Sequence, residues 1–303
     1  MVNETFDYVK YLDLKKSIDN KSLNKVIWDK FSNWLMARNK QGETLNVLEI
    51  GAGIGTMIER LLESSLLQKG HYIALEPEPS FKQAAMCRFK SWASNHNCIF
   101  QINSEGLWHI SNNEIDLKIE WIETDTNMIA KLFNNDSFDL LLSHAVVDLL
   151  PVPTIMPIIL KKLKAQGACY FSLNFSGNTE FYPAHDNDHK ISEQYHSDMD
   201  SRFPNMDWQP SLTGKALPMW LKKYGCEQVV DGESNWELGA GESLFIKNIL
   251  DTIKKALLGF PGLDNWLSIR YKELDQENLT ITISNRDCFG LKQSKTYKAS
   301  AKN

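Results

Sequence analysis

The chain has 303 residues, 43% of them hydrophobic and 23% charged, and carries a formal net charge of −5. That is enough for one large domain or two modest ones with a full core. The acidic balance, with no Lys/Arg block longer than a pair such as Lys161-Lys162, argues against DNA or RNA as substrate. Cys87, Cys98, Cys169, Cys226 and Cys288 are scattered and form no CxxC, which argues against a disulfide framework or a thiolate metal site and fits a reducing compartment.

The first residues, MVNETFDYVKYLD, are polar and acidic where a signal peptide would be basic and then apolar. The most apolar long run, VVDLLPVPTIMPIIL at 146–160, contains Asp148 and three prolines and is too short to span a bilayer. A soluble, cytoplasmic protein without a membrane or nucleic-acid partner, monomeric or homodimeric, is expected.

Residues 5–40 read as two helices. The second, SLNKVIWDKFSNWLMARNK, has apolar residues near helical spacing and Ser22 as its expected N-cap. From residue 46 short strands alternate with longer helices. NVLEI is a strand and TMIERLLESSLL a helix; HYIALE and PSFKQAAMCRFKSWAS repeat the pair. Residues 98–122 suggest a small antiparallel excursion ending in a third core strand. FDLLLSH is a fourth strand, TIMPIILKKLKA a helix and GACYFSLNF a fifth strand. Such alternation predicts a parallel sheet with right-handed crossovers.

Residues 176–213 break the rhythm with a stretch rich in Asn, Asp, His, Ser and Pro, and a polar insertion of that length is usually functional or mobile. After it come ALPMWLKKYG as a helix, CEQVVDGESNWEL as a strand and GESLFIKNILDTIKKALLG as a helix. LTITISNRDCFGLK is a last strand before a polar tail.

The glycines of VLEIGAGIGT stand at Gly51, Gly53 and Gly55, directly after a strand. Glycine is costly there unless backbone must come close to something. Dinucleotide binders use GxGxxG; here position 56 is Thr56, the spacing is GxGxG, and Glu49 lies two residues ahead. Acidic or polar residues end the following strands: Glu76, able to accept from ribose hydroxyls, Asp125, able to take an adenine amine, and Ser143 with His144. In an open parallel sheet these positions share the edge where ligands bind.

From about residue 46 to 175 the chain resembles the class I S-adenosylmethionine-dependent methyltransferases, on the segments VLEIGAGIG, YIALEP, IETD and FDLLLSHAVVDLL. The resemblance implies a doubly wound α/β fold, a Rossmann-like, mostly parallel sheet of the seven-stranded type. A helical N-terminal cap (1–45) would precede a cofactor domain (46–300) with a lid inserted at about 176–213. It implies S-adenosylmethionine as cofactor, with Gly51, Gly53 and Gly55 against its methionine part, Glu49 on its ammonium, Glu76 on the ribose diol, Thr124 and Asp125 at the adenine, and Ser143 beside it. The pattern (D/N)PP(Y/F) of amino-methylating DNA enzymes is missing.

Methyl transfer needs mainly alignment, which can supply roughly 7–11 kcal/mol of the barrier; a general base adds about 10²–10⁴-fold. His144 and Asp148 are the candidates nearest the acceptor, each with a structural alternative: a hydrogen-bonded wall residue for His144, a helix-start carboxylate for Asp148. In the insertion, His196 is a third catalytic candidate, and Tyr195, Asp200 and Arg202 are candidates for holding the acceptor under a lid. His185 and His189 could suit a metal, but the DND between them favours a turn, and no metal is expected. Tyr8, Tyr11 or Lys21 could cap the cofactor, while Trp208, Trp220 and Trp236 read as packing residues. The function expected is O- or N-methylation of a small polar metabolite. The alternatives are transfer or cleavage of another group of S-adenosylmethionine, such as aminopropyl transfer, and a non-catalytic binding module.

Overall fold

A computed structural model describes residues 8–294; the expected helix start at 5–7 and the tail beyond 294 lie outside them. The chain begins with α1 (Tyr8–Ser22) and α2 (Lys25–Lys40). Ser22 is the last residue of α1, and the cap of α2 is Asn24, whose side chain accepts from Ile27 N at 3.1 Å. The two helices do different work: α2 buries Ile27, Phe31 and Leu35 against one face of the sheet, whereas α1 lies across its crest.

The sheet is assembled from β1 (Leu45–Ile50), β2 (Lys69–Leu75), β3 (Ile99–Ile102), β4 (Trp108–Ser111), β5 (Asp116–Ile122), β6 (Phe138–His144), β7 (Leu163–Tyr182), β8 (Cys226–Glu233), β9 (Trp236–Leu238) and β10 (Thr280–Lys292). Its ten strands run in the order β3-β4-β5-β2-β1-β6-β7-β10-β8, with β9 paired to β10. The central run β5-β2-β1-β6-β7 is parallel. Within it β6, FDLLLSH, is buried at every position, as a strand covered on both faces must be. The antiparallel excursion expected at 98–122 is β3 and β4, which return into β5. On one face α2, α3 (Thr56–Glu63) and α4 (Pro79–Asn95) pack through Phe31, Ile58 and Phe89. On the other, α6 (Val152–Lys162) and α8 (Thr213–Lys223) pack through Ile155, Met156, Leu217 and Trp220, with the short α5 (Ile129–Leu132) alongside.

The polar stretch after the fifth strand is more ordered than its composition suggests. β7 runs on to Tyr182, pairing with β10 as far as Thr280, and α7 (Asp188–Asp200) follows. The segment expected to be one strand at 226–238 is two, β8 and β9. An unexpected helix, α10 (Leu263–Asp275), joins α9 (Ser243–Ala256). Together the upper parts of β7, β9 and β10 with α7, α9 and α10 enclose their own apolar cluster, centred on Phe181, Ile191, Phe245, Leu250, Trp266 and Ile281. Buried Arg270 on α10 anchors it, bonding Pro183 O at 2.8 Å, Glu273 at 2.6 Å and Asp188 of α7. The insertion is therefore a packed upper tier, and its underside roofs the sheet crest.

Candidate active site

Between the crest of the sheet, α1 and the upper tier lies a cavity of about 1280 Å³. Its floor is made by the carboxyl ends of β1, β2, β5 and β6, where an open α/β sheet leaves its loops diverging. α1 forms one wall from end to end, with Leu12 close to Gly53 and Lys15 and Asp19 further along.

One end of the cavity is acidic. Glu49, buried at the end of β1, accepts from Tyr72 Oη at 2.8 Å. Burial pushes its carboxyl up to about 8, against the pull of that bond and of Arg60. Glu76, just past β2, takes the Gly53 amide at 2.8 Å on one oxygen and the Glu78 amide at 3.1 Å on the other. Burial raises it too, with those bonds opposing. Asp125 caps the turn after β5 through Asn127 N at 2.8 Å, and Thr124 lines the wall beside it.

All three loop glycines have positive φ, but for different reasons. A Cβ on Gly55 would stand 2.5 Å from Phe89 Cζ, and one on Gly51 2.6 Å from Val146 Cγ2. Those two glycines admit protein side chains. At Gly53 a Cβ would meet only Leu12 Cδ1 at 3.5 Å, so Gly53 leaves its space to the cavity.

The other end is organised by Asp19 of α1. Its Oδ2 accepts from Lys15 Nζ at 2.6 Å and faces His144 Nε2 at 3.0 Å, and its Oδ1 accepts from Trp236 Nε1 at 3.1 Å. Burial pushes the Asp19 carboxyl up, but Lys15 and His144 outweigh it and hold the group down at about 2. Burial, with Arg60 adding, lowers the His144 imidazole to about 4. A neutral ring between an ionised carboxylate and Ser172 Oγ, 2.7 Å from Nδ1, carries its hydrogen on Nε2 and accepts at Nδ1. Both nitrogens are engaged, so His144 sits as a wall residue.

Asp148 is different. It lies in a short 3₁₀ turn, Val147–Leu149, and its Oδ2 accepts from Phe175 N at 3.4 Å, while its buried Oδ1 has no hydrogen-bond partner in another residue. Burial raises its carboxyl, against the amides of Phe175 and of Asp148 itself and the charges of Lys15 and Arg202. The backbone around it is held in unusual conformations: Ala145 at φ 55° and Leu173 at φ 54°. Non-glycine residues in that region cost about 1–3 kcal/mol and persist only where neighbours over-determine them. Here Ala145 N bonds Ser172 O, and Leu173 N bonds buried Asp287, both at 2.8 Å.

Of the residues singled out in the sequence, Glu49, Gly51, Gly53, Glu76, Thr124, Asp125, His144, Asp148, Tyr195 and Arg202 share this cavity, as do Tyr8 and Tyr11. Others stand outside its lining. Ser143 turns into the sheet and donates to Ile50 O at 3.0 Å. Gly55 faces Phe89. His196 lies behind the wall, against Phe175 and 3.3 Å from Thr179 Oγ1. Asp200 ties α7 to the turn before α8 by accepting from Ser211 N and Oγ at 2.8 and 3.0 Å. Lys21 points to solvent and pairs with Glu242 at 3.3 Å. His189 is exposed and pairs with Glu193 at 3.1 Å. Lys15, Asp19 and Asp287 were not singled out. The legible signal for the first two is the set Tyr8, Leu12, Lys15 and Asp19, which falls on one helical face.

An open, mostly parallel sheet with a glycine turn and acids at successive strand ends defines a Rossmann-like cofactor-binding protein. Residues 27–222, more than half of the chain, match the family described as "Putative S-adenosyl-L-methionine-dependent methyltransferase". The chain belongs to this family; it is a methyltransferase whose cofactor is S-adenosylmethionine. None of the curated proteins matches it. Among solved structures it is similar to the YcgJ protein of Bacillus subtilis, at 14% identity over 86% of this chain and 99% of that one, TM-score 0.49. It is also similar to phosphoethanolamine N-methyltransferase 2 of Haemonchus contortus in complex with S-adenosyl-L-methionine, at 14% identity over 86% of this chain and 52% of that one, TM-score 0.43. A third, the [4+2]-cyclase SpnF, shares 12% identity over 94% of both chains, TM-score 0.44.

The residues present fit this cofactor. Among the described residues, the cation acting on the desolvated carboxyl of Glu49 is the buried Arg60 behind it, and an ammonium would fit on the cavity side. Glu76 keeps lone pairs beyond its two amide bonds for a diol. The space a Cβ would take at Gly53 is left open. Among the described residues no helix is long and apolar enough to cross a membrane.

Proposed function

We propose that the enzyme methylates the oxygen or nitrogen of a small acceptor that is polar at its reacting atom, and that Asp148 receives the acceptor's proton. The observation that carries this reading is the Asp148 carboxyl: the residue lines the cavity, its Oδ2 has only a long bond from Phe175 N at 3.4 Å, and its buried Oδ1 has no partner in another residue. Unsatisfied buried polar atoms are uncommon and point to a missing partner. S-adenosylmethionine, when bound, supplies a methyl group activated for in-line displacement.

The chain's own residues account for the rest. Glu49 offers its carboxyl to the ammonium end, Glu76 to the ribose and Asp125 to the base, which fixes the cofactor along the floor. The Asp19 hub holds Lys15, His144 and Trp236 in one arrangement, so the far wall is rigid before an acceptor arrives. Tyr11 and Tyr195 keep their hydroxyls protonated, burial raising both, so neither competes as a base. Asp148, partly drawn toward ionisation by Lys15 and Arg202, can take a proton.

The test is Asp148→Asn, which preserves shape and removes the base. Release of S-adenosylhomocysteine with an active extract fraction should fall about 10²–10⁴-fold. Calorimetric affinity for S-adenosylhomocysteine should stay within about twofold, because the floor is untouched. Undiminished turnover would remove Asp148 from the reaction.

A further inference from the structure

The two ends of the cavity differ in what they present. The floor that fits the cofactor presents the acids Glu49, Glu76 and Asp125, whereas the wall beyond Asp148 presents Lys15, paired with Asp19, and Arg202. Lys15 is the more informative of these. It is 7% exposed, lines the cavity, and lies 5.0 Å over the Trp236 ring. Its bond to Asp19 uses one of three N–H donors. The Asp19 oxygens are already occupied by Lys15, His144 and Trp236. What this pair offers an incoming molecule is therefore its N–H side. Arg202 joins Lys15 in drawing Asp148 toward its ionised form, so both cations act on the place where the acceptor's proton leaves. The surrounding walls are flat and aromatic: Tyr11, Phe175, Tyr195 and Trp236.

We infer that the acceptor atom is the oxygen of an acidic hydroxyl on a planar molecule, a phenol or an enol, with Lys15 donating to that oxygen and the Asp148 carboxylate taking its proton. This rests on the reading of the cavity as a methyl-transfer site and narrows it. The charge argument decides between the two candidate atoms. A nitrogen acceptor gathers positive charge as its bond to carbon forms, and neighbouring cations oppose that. An oxygen acceptor develops negative charge as its proton leaves, and neighbouring cations favour that. The step balances: the acceptor's O–H bond breaks and its proton passes to Asp148. An oxygen lone pair forms the O–CH₃ bond as the S–CH₃ bond breaks, and that bond's electron pair stays on sulfur as a thioether.

The inference can be read without turnover, using the three nitrophenol isomers as probes, whose phenolates absorb visible light and whose phenols do not. Each is titrated with the full-length protein, with and without S-adenosylhomocysteine, about one pH unit below its own ionisation. Lys15 beside the hydroxyl should turn at least one bound isomer mainly to phenolate. Lys15→Met should lower the phenolate fraction of the bound probe about tenfold, and Lys15→Arg should restore most of it. Probe that binds as phenol, a shift that survives Lys15→Met, or no binding of any isomer overturns the inference. Circular dichroism and S-adenosylhomocysteine affinity, measured on the same samples, show that the variants are folded. If wild type fails to bind S-adenosylhomocysteine, the methyl-transfer reading of the cavity falls instead, and the colour shift still reports on Lys15.

Discussion

The acidic end of the cavity is built from residues close to one another in sequence motifs, each placed by the end of its own strand. The opposite end is built from distant segments: Lys15 and Asp19 from the first helix, His144 and Asp148 from the fourth core strand and its turn, Trp236 from a short strand in the upper tier. The first kind of site is placed by the sheet, with α1 closing its side through Leu12. The second exists only when α1 and the upper tier have docked on it. Cofactor binding and acceptor chemistry should therefore separate under mutation, and removal of a hub residue should loosen the second end alone.

The largest effect is expected at Asp19. Asp19→Ala leaves Lys15 and the Trp236 indole without their buried partner, and losing one side of a buried ion pair costs about 3–5 kcal/mol. Thermal unfolding should start at a lower temperature in α1, seen as faster amide exchange there than in β1 or β6. Uniform destabilisation of both ends would erase the distinction drawn between them.

Within the acidic end, the glycines should divide. Gly55→Ala places a Cβ into Phe89 at a positive φ of 79°, at a combined cost of about 2–4 kcal/mol. Gly53→Ala meets only Leu12, at ordinary contact distance, and should cost about 1–2 kcal/mol of stability, while weakening S-adenosylhomocysteine binding by at least about tenfold. A Gly53→Ala protein that binds normally would show that this part of the cavity does not hold the cofactor.

A smaller and more specific effect concerns Glu49. With its ionisation raised to about 8 in the free protein, Glu49 is protonated at pH 6, and a bound ammonium favours its ionised form. Binding then releases a proton. Affinity for S-adenosylhomocysteine should rise about tenfold per pH unit from pH 6 and level off near pH 8. Calorimetry in buffers of different ionisation heat counts that proton. A flat profile, or Glu49→Gln with an unchanged slope, would mean that the ammonium lies elsewhere.

The same division explains what could be read from the sequence. β1, β2 and β6, the glycine turn and the acids at the strand ends are local patterns: short apolar runs, glycines at fixed offsets, a carboxylate at each boundary. The direction in which a strand-end side chain points is not local, which is why Ser143 was expected in the site and faces Ile50 instead. α1 carries its functional face as Tyr8, Leu12, Lys15 and Asp19, and the two charged members resemble a solvated surface until the partners His144 and Trp236 are known. The insertion misled for a related reason. Phe181, Ile191 and Met199 are spaced widely among polar residues, so the upper tier reads as loop although it has its own core. His196 and Asp200 belong to that tier's internal bonding. The apolar residues of α10 make sense only opposite α9 and Phe181.

The most direct test is a crystal structure with S-adenosylhomocysteine bound. The ribose hydroxyls should meet Glu76, the ammonium should meet Glu49, and the sulfur should face Asp148 and Lys15 across open space. A nucleoside seated against Trp236 and Tyr195, or a sulfur turned away from Asp148, would contradict the division of the cavity into a cofactor floor and an acceptor wall.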